Sequence, residues 1–192
     1  MNSPLDPDAQ LMLSFQNGDE PAFDTLYERH YQSTINLAYR LLGDRDSAED
    51  IAQEVFVKLY ISPRSYGPRA KFSTWLYRVT YNACIDEMRK RKTSPTAPAQ
   101  WDTSPIPDAD VSPESVAESN ELAAVVKAAI ASLPEKQRLA IALQKYEGLS
   151  YQEIADVLMT SVSAVESLLF RAKESLKNKL SHYINVTQEK ES

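Results

Sequence analysis

The stretch that most limits what this chain can become is residues 150–173, SYQEIADVLMTSVSAVESLLFRAK. Ser150 followed by Glu153 is a capping box, in which each side chain satisfies a free N–H at a helix start. Ile154, Ala155, Val157 and Leu158 give that helix an apolar side. The pattern breaks at Met159-Thr160, and Ser161 suits the N-cap of a second helix. That helix carries Val162, Val165, Leu168, Leu169, Ala172 and Leu176 at helical spacing. Ala155 is small where two crossing helices must approach, and Val165 is apolar where the second helix packs back. This is a helix-turn-helix pattern, whose second helix can enter a DNA major groove. An ordinary helical hairpin fits the same apolar positions. The turn position usually given to Gly holds Met159, which can turn there at some conformational cost. The outward positions Ser163, Glu166, Ser167 and Phe170 carry no positive charge before Arg171 is reached.

Other parts of the chain narrow the class. Hydrophobic content of 43% and charged content of 25% describe a globular protein, and only four Gly with long helical periods argue against a β fold. At 192 residues one or two domains are expected. No apolar run approaches the ~20 residues of a membrane span. The first residues, MNSPLDPDAQ, lack the basic-then-apolar form of a signal peptide. A single cysteine, Cys84, cannot form an internal disulfide, which fits a reducing cytoplasm. Its apolar helical setting makes it a core residue.

The net charge of −6 is unusual for a DNA binder, but its distribution matters more than its sum. From Asp19 to Glu54 there are nine acidic residues against three basic ones. From Lys58 to Lys92 there are nine basic residues against two acidic ones. The contrast fits two solvated faces of unlike charge, or two partners of which one is a polyanion.

Helical spacing organises the chain into an all-α protein of two small helical domains, residues 1–92 and 114–192. A flexible Pro-rich linker, 93–113, joins them. The spacing predicts a short helix over 8–16 and a long one from Asp19 to Gly43. A third runs from Asp44–Ser47 to Ile61, burying Ala48, Ile51, Ala52, Val55, Phe56 and Leu59 while Glu49, Asp50, Gln53 and Glu54 face outward. After a basic loop, Ser62 to Lys71, a helix capped by Ser73 is predicted from Thr74 to about Lys92. Leu76, Val79, Ala83 and Ile85 fit packing, whereas Trp75, Arg78, Asn82, Asp86 and Arg89 form a second stripe. The linker holds five prolines and three aspartates with no Lys or Arg, and Trp101 there suggests a docking point. Helices resume from Glu114, with breaks near Pro134 and Gly148. The last helix is expected to end about Tyr183, ahead of a polar tail.

The chemistry of enzymes is missing from these patterns. His30 and His182 are far apart and lack metal-ligand spacing. No Gly-rich phosphate loop, zinc motif or nucleophile elbow occurs. Neither cofactor nor metal is expected, and the sequence suggests no catalytic site.

Three stretches, in order, resemble a bacterial sigma factor: DSAEDIAQEVFVKLY at 46–60, FSTWLYRVTYNACIDEMRKRK at 72–92, and LPEKQRLAIALQKYEGLSYQEIADVLMTSVSAVESLLFRAKESL at 133–176. The brevity and the two helical domains are similar to the extracytoplasmic-function (ECF) group of the sigma-70 family, over about residues 8–183. The resemblance implies an alternative sigma factor, cytoplasmic and usually held by an anti-sigma factor. Such a protein binds core RNA polymerase at the clamp coiled coil of the largest subunit and the flap of the second. It then directs promoter recognition, melting and transcription initiation. Residues 1–92 would be sigma domain two, and residues 114–192 sigma domain four.

Carried over by position, Asp50, Gln53 and Glu54 would meet the clamp. Exposed carboxylates and an amide can pair with basic residues of a partner helix, although a plain solvated face has the same composition. Binding and melting of the −10 element would fall to Arg64, Arg69, Lys71, Phe72, Trp75, Arg78, Tyr81 and Asn82. There cations would meet phosphates and rings would stack on unpaired bases. Trp75 fits core packing equally well. Arg89, Lys90, Arg91 and Lys92 would follow the duplex backbone, and they also complement a helix C-terminus. The −35 element would be read by Ser163, Glu166, Ser167, Phe170, Arg171 and Lys173. Many family members have Lys where this chain has Glu166, and Arg where it has Leu168. Glu166 suits acceptance from a cytosine amino group, and so a reading of sequence rather than of phosphate.

Overall fold

The computed structural model describes the backbone of residues 6–93 and 116–190, and the side chains of 6–91 and 123–181. Among the described residues the secondary structure is helical throughout. The helices are α1 (Pro7–Gln16), α2 (Glu20–Leu42), α3 (Arg45–Ile61), α4 (Phe72–Thr93), α5 (Val116–Ala131), α6 (Glu135–Lys145), α7 (Tyr151–Leu158) and α8 (Val162–Lys190), with a 3-10 turn at Pro63–Ser65. The expected linker, including Trp101, lies almost wholly outside the described residues.

Local chemistry sets most boundaries. Gly43 ends α2 in the left-handed conformation at φ 74°, which a residue without Cβ adopts readily. Asp44 caps α3 by accepting from the Ser47 N–H at 3.2 Å. Two boundaries differ from the sequence expectation. The fourth helix starts at Phe72, ahead of Ser73, because Asp6 supplies the missing acceptor: its Oδ2 takes the Phe72 N–H at 3.1 Å. The last helix continues to Lys190, past Tyr183, since the polar tail holds no Pro or Gly to stop it.

In the N-terminal unit α2 packs on α1, α3 and α4. Leu26, Leu37, Leu41, Val55, Leu59 and Leu76 are sealed at its centre. An aromatic group closes one end, with Tyr27 stacked on Tyr31 at 4.5 Å and Phe23 edge-on to Tyr60 at 5.1 Å. In the C-terminal unit α6, α7 and α8 surround Leu139, Leu143, Ile154, Val165 and Leu169. The two units also pack on each other, α2 against α6 and α4 against α7, so their apolar cores are continuous.

Candidate nucleic-acid and partner interfaces

The helix-turn-helix forms as its sequence suggests. The Ser150 hydroxyl accepts from the Glu153 N–H, and the Glu153 carboxylate accepts from the Ser150 N–H at 2.8 Å. Met159 takes the turn at φ 51° and ψ 51°, and it is the one non-Gly residue with positive φ among the described residues. Ser161 caps α8 by accepting from the Ala164 N–H at 3.2 Å. Val165, Leu169 and Ala172 turn inward. Ser163, Glu166, Ser167, Phe170, Arg171 and Lys173 are all exposed. Glu166, Ser167, Phe170 and Arg171 line a shallow open concavity. Phe170 keeps 68% of its surface in solvent, which leaves an aromatic ring free for an incoming group.

On α3, Asp50, Gln53 and Glu54 are exposed, as their spacing predicts. Glu54 binds the Lys58 ammonium one turn on, and Arg45 Nε donates to Glu49 at 2.9 Å. Val57 and Ile61, 49% and 73% exposed, extend the same face beyond Glu54, and Tyr60 flanks them. The face is thus acidic at its start and apolar at its end. Sequence spacing reserved the burial of this helix for its other side and did not single out Val57 or Ile61.

The basic stretch divides. Arg64, Arg69, Asn82, Arg89 and Lys90 are exposed, and Arg78 is half-buried. Lys71 is exposed but paired, its Nζ 2.7 Å from Glu153 of the capping box. Trp75 is half-buried, edge-on to Tyr66 at 5.5 Å. Its ring is therefore partly core and partly surface. Gln16 fixes the loop beneath it by donating to the carbonyls of Pro63 at 2.8 Å and Tyr66 at 3.0 Å.

Three expectations for this stretch need correction. Phe72 has no exposed surface: it packs on His30, Tyr66 and Trp75, so it supports the loop and offers no face to a base. Tyr81 is 8% exposed, because the C-terminal unit covers it and Glu135 accepts its hydroxyl at 3.0 Å. Arg91 turns back to Asp44 at 3.3 Å and Glu87 at 3.2 Å and also donates to Ser47, so it ties α4 to the start of α3. The Lys92 side chain lies outside the described residues.

The junction between the units is polar at its edge. Tyr77 donates to Glu147 at 2.6 Å. Arg40 lies 3.8 Å above the Tyr146 ring, with Nη1 3.8 Å from Glu147. Burial, helped by the Glu147 carboxylate, raises the Tyr77 phenol above its ordinary range. Burial and Glu135 push Tyr81 up to about 12. Glu153 moves the other way. Partial burial opposes its charge, yet the Lys71 ammonium and the Ser150 donors hold its carboxyl down at about 2. Three carboxylates of the C-terminal unit (Glu135, Glu147 and Glu153) therefore sit on Tyr81, Tyr77 and Lys71 of the N-terminal unit.

Two family models match this arrangement in chain order: Sigma-70 region 2 over residues 26–93 and Sigma-70, region 4 over residues 124–176. Together they cover more than half of the chain, which belongs to the sigma-70 family of transcription initiation factors. Relatives narrow the group. The chain is 36% identical over 86% of its length to the ECF RNA polymerase sigma factor SigW of Bacillus subtilis, 92% of which is covered. It is 34% identical over 87% of its length to the ECF RNA polymerase sigma factor SigE of Mycolicibacterium smegmatis, of whose length the match spans 65%. Within the family the chain falls in the ECF group. The sigma factor RpoE solved in complex with the anti-sigma factor NepR from Bartonella quintana shares the fold, with a TM-score of 0.68 at 22% identity over 83% of this chain and 96% of that one. No helix among the described residues is long and apolar enough to cross a membrane.

Proposed function

We propose that this ECF sigma factor docks on core RNA polymerase through α3 and reads promoter DNA through α4 and α8. Asp50, Gln53 and Glu54, continued by Val57 and Ile61, suit a basic and partly apolar partner helix such as the clamp coiled coil of the largest subunit. The C-terminal unit would meet the flap of the second subunit. The −10 strand would run over Arg64, Arg69, Trp75, Arg78 and Asn82, with Arg89 and Lys90 on the flanking duplex. Lys71 joins them only once Glu153 withdraws. The same chemistry suits an anti-sigma factor that covers the α3 face in the cytoplasm.

The observation that carries this reading is the exposed stripe on α8. Six side chains able to meet bases or phosphates share one solvent face above a sealed apolar underside. Run-off transcription with core polymerase, set beside co-purification with core, tests it. Arg171→Ala is expected to weaken promoter use and leave core binding intact, because Arg171 is exposed on α8 and is no part of the α3 face. Asp50→Ala is expected to weaken core binding first. A chain that ignores core and binds a palindromic duplex tightly by itself would be a lone dimeric regulator instead.

A further inference from the structure

The exposed stripe of α8 places a carboxylate where a groove walled by phosphates would receive it. Glu166 lies one turn after Ser163 and one turn before Phe170, in the part of the helix that approaches base edges. It is exposed and helps to line the concavity beside Arg171. It enters none of the ion pairs among the described residues, so the fold does not use its charge. A negative charge near DNA phosphates is unfavourable unless a donor meets it.

The major groove offers few donors. Guanine presents two acceptors, N7 and O6, and thymine presents the O4 acceptor, so all of them repel a carboxylate. Adenine presents its N6 amino group beside the N7 acceptor, so a carboxylate reaching N6 also meets a lone pair. Cytosine presents the N4 amino group with no acceptor next to it on that edge. We propose that Glu166 selects cytosine at one position of the −35 element and disfavours the other three bases there. This rests on the reading of α8 as the promoter-reading helix, and it assigns part of the sequence specificity to a residue type that reverses the charge common in the family.

The test uses the full chain with core polymerase on a duplex promoter library randomised through the −35 element, with the transcripts sequenced. The unmodified chain is expected to favour cytosine at one position by about 5- to 150-fold over its poorest competitor, the range for a good base contact. Glu166→Gln is expected to move the preference at that position to adenine, since a carboxamide accepts from N6 and donates to N7. Glu166→Arg is expected to move it to guanine, with the other positions unchanged. If the cytosine preference survives both substitutions, or no position prefers cytosine in the unmodified chain, the assignment to Glu166 is wrong while α8 remains the reader. If transcription depends on the −10 sequence but on no base of the −35 region, the reading of α8 itself falls. The near-isosteric Glu166→Gln keeps the test decisive should the arginine variant misfold.

Discussion

The bond between Tyr77 and Glu147 offers a direct measure of how firmly the two units are joined. The phenol donates at 2.6 Å to a carboxylate whose side chain keeps only 10% of its surface exposed. A hydrogen bond to a charged acceptor contributes about 1.5–3 kcal/mol. Tyr77→Phe removes the donor but leaves the ring in place. Glu147 then retains the Arg40 guanidinium at 3.8 Å, an attraction of roughly 4 kcal/mol at an effective dielectric near 20. The carboxylate therefore keeps a partner, and the loss should remain near the value of the single bond, about 2 kcal/mol. In a chain of this size that lowers Tm by roughly 4–8 °C. Glu147→Gln removes charge from the same contact, so the double variant should lose less than the sum of the two single losses. Denaturant unfolding of the four chains in a double-mutant cycle should give a coupling above about 1 kcal/mol. A coupling below about 0.3 kcal/mol, with the unfolding of the helix-turn-helix unit unmoved by Tyr77→Phe, would refute the claim that this bond joins the units.

Met159 adopts φ 51° with 78% of its surface exposed, so Met159→Gly should relieve left-handed strain and lose little burial. The expected net gain is about 0.5 kcal/mol, read as a small rise in Tm, with Met159→Ala as a control that keeps the strain. Cys84 is fully buried, and burial, only partly offset by nearby Arg138 and Arg91, pushes its thiol up to about 12. It should react with a thiol reagent at pH 8 only as fast as the protein opens, and prompt labelling of the native chain would contradict the packing. Glu153 has a depressed folded pKa, so its stabilising effect is present above its ordinary value of 4.5 and fades as pH falls from there through about 2. The stability gap between the unmodified chain and Glu153→Gln should therefore narrow on acidification across that window, whereas a gap that widens would reverse the sign.

How much of this was legible in the sequence depended on how far apart the interacting residues lie. The capping box at Ser150 and Glu153 spans three residues, and it appears where the sequence places it. The exposed faces of α3 and α8 follow from spacing along single helices. Helix α4 was harder. It packs against both α2 and α7, so one stripe that spacing alone marks as free includes a half-buried Trp75 and Arg78. Phe72 and Tyr81 look available in a linear reading, but one fills the loop's underside and the other is capped by Glu135 from another unit. Arg91 reads as part of a basic run until Asp44, 47 residues earlier, is brought beside it. No local pattern in the sequence encodes any of these distant partners.

Asp6 carries a consequence for how the N-terminal unit is held together. Its carboxylate completes the first turn of α4 across a separation of 66 residues. Closing a loop of that length costs about 4 kcal/mol in chain entropy, plus a constant. One charge-assisted hydrogen bond contributes at most about 3 kcal/mol, so it cannot hold the loop shut unaided. The bond therefore depends on the packing of α1 against α2 and of Phe72 in the core. The start of α4, next to the basic loop, is thus held by the opposite end of its own unit. Slow hydrogen exchange at the Phe72 amide would show that unit to be whole, and a chain lacking its first six residues would keep the helix but lose that closing signal.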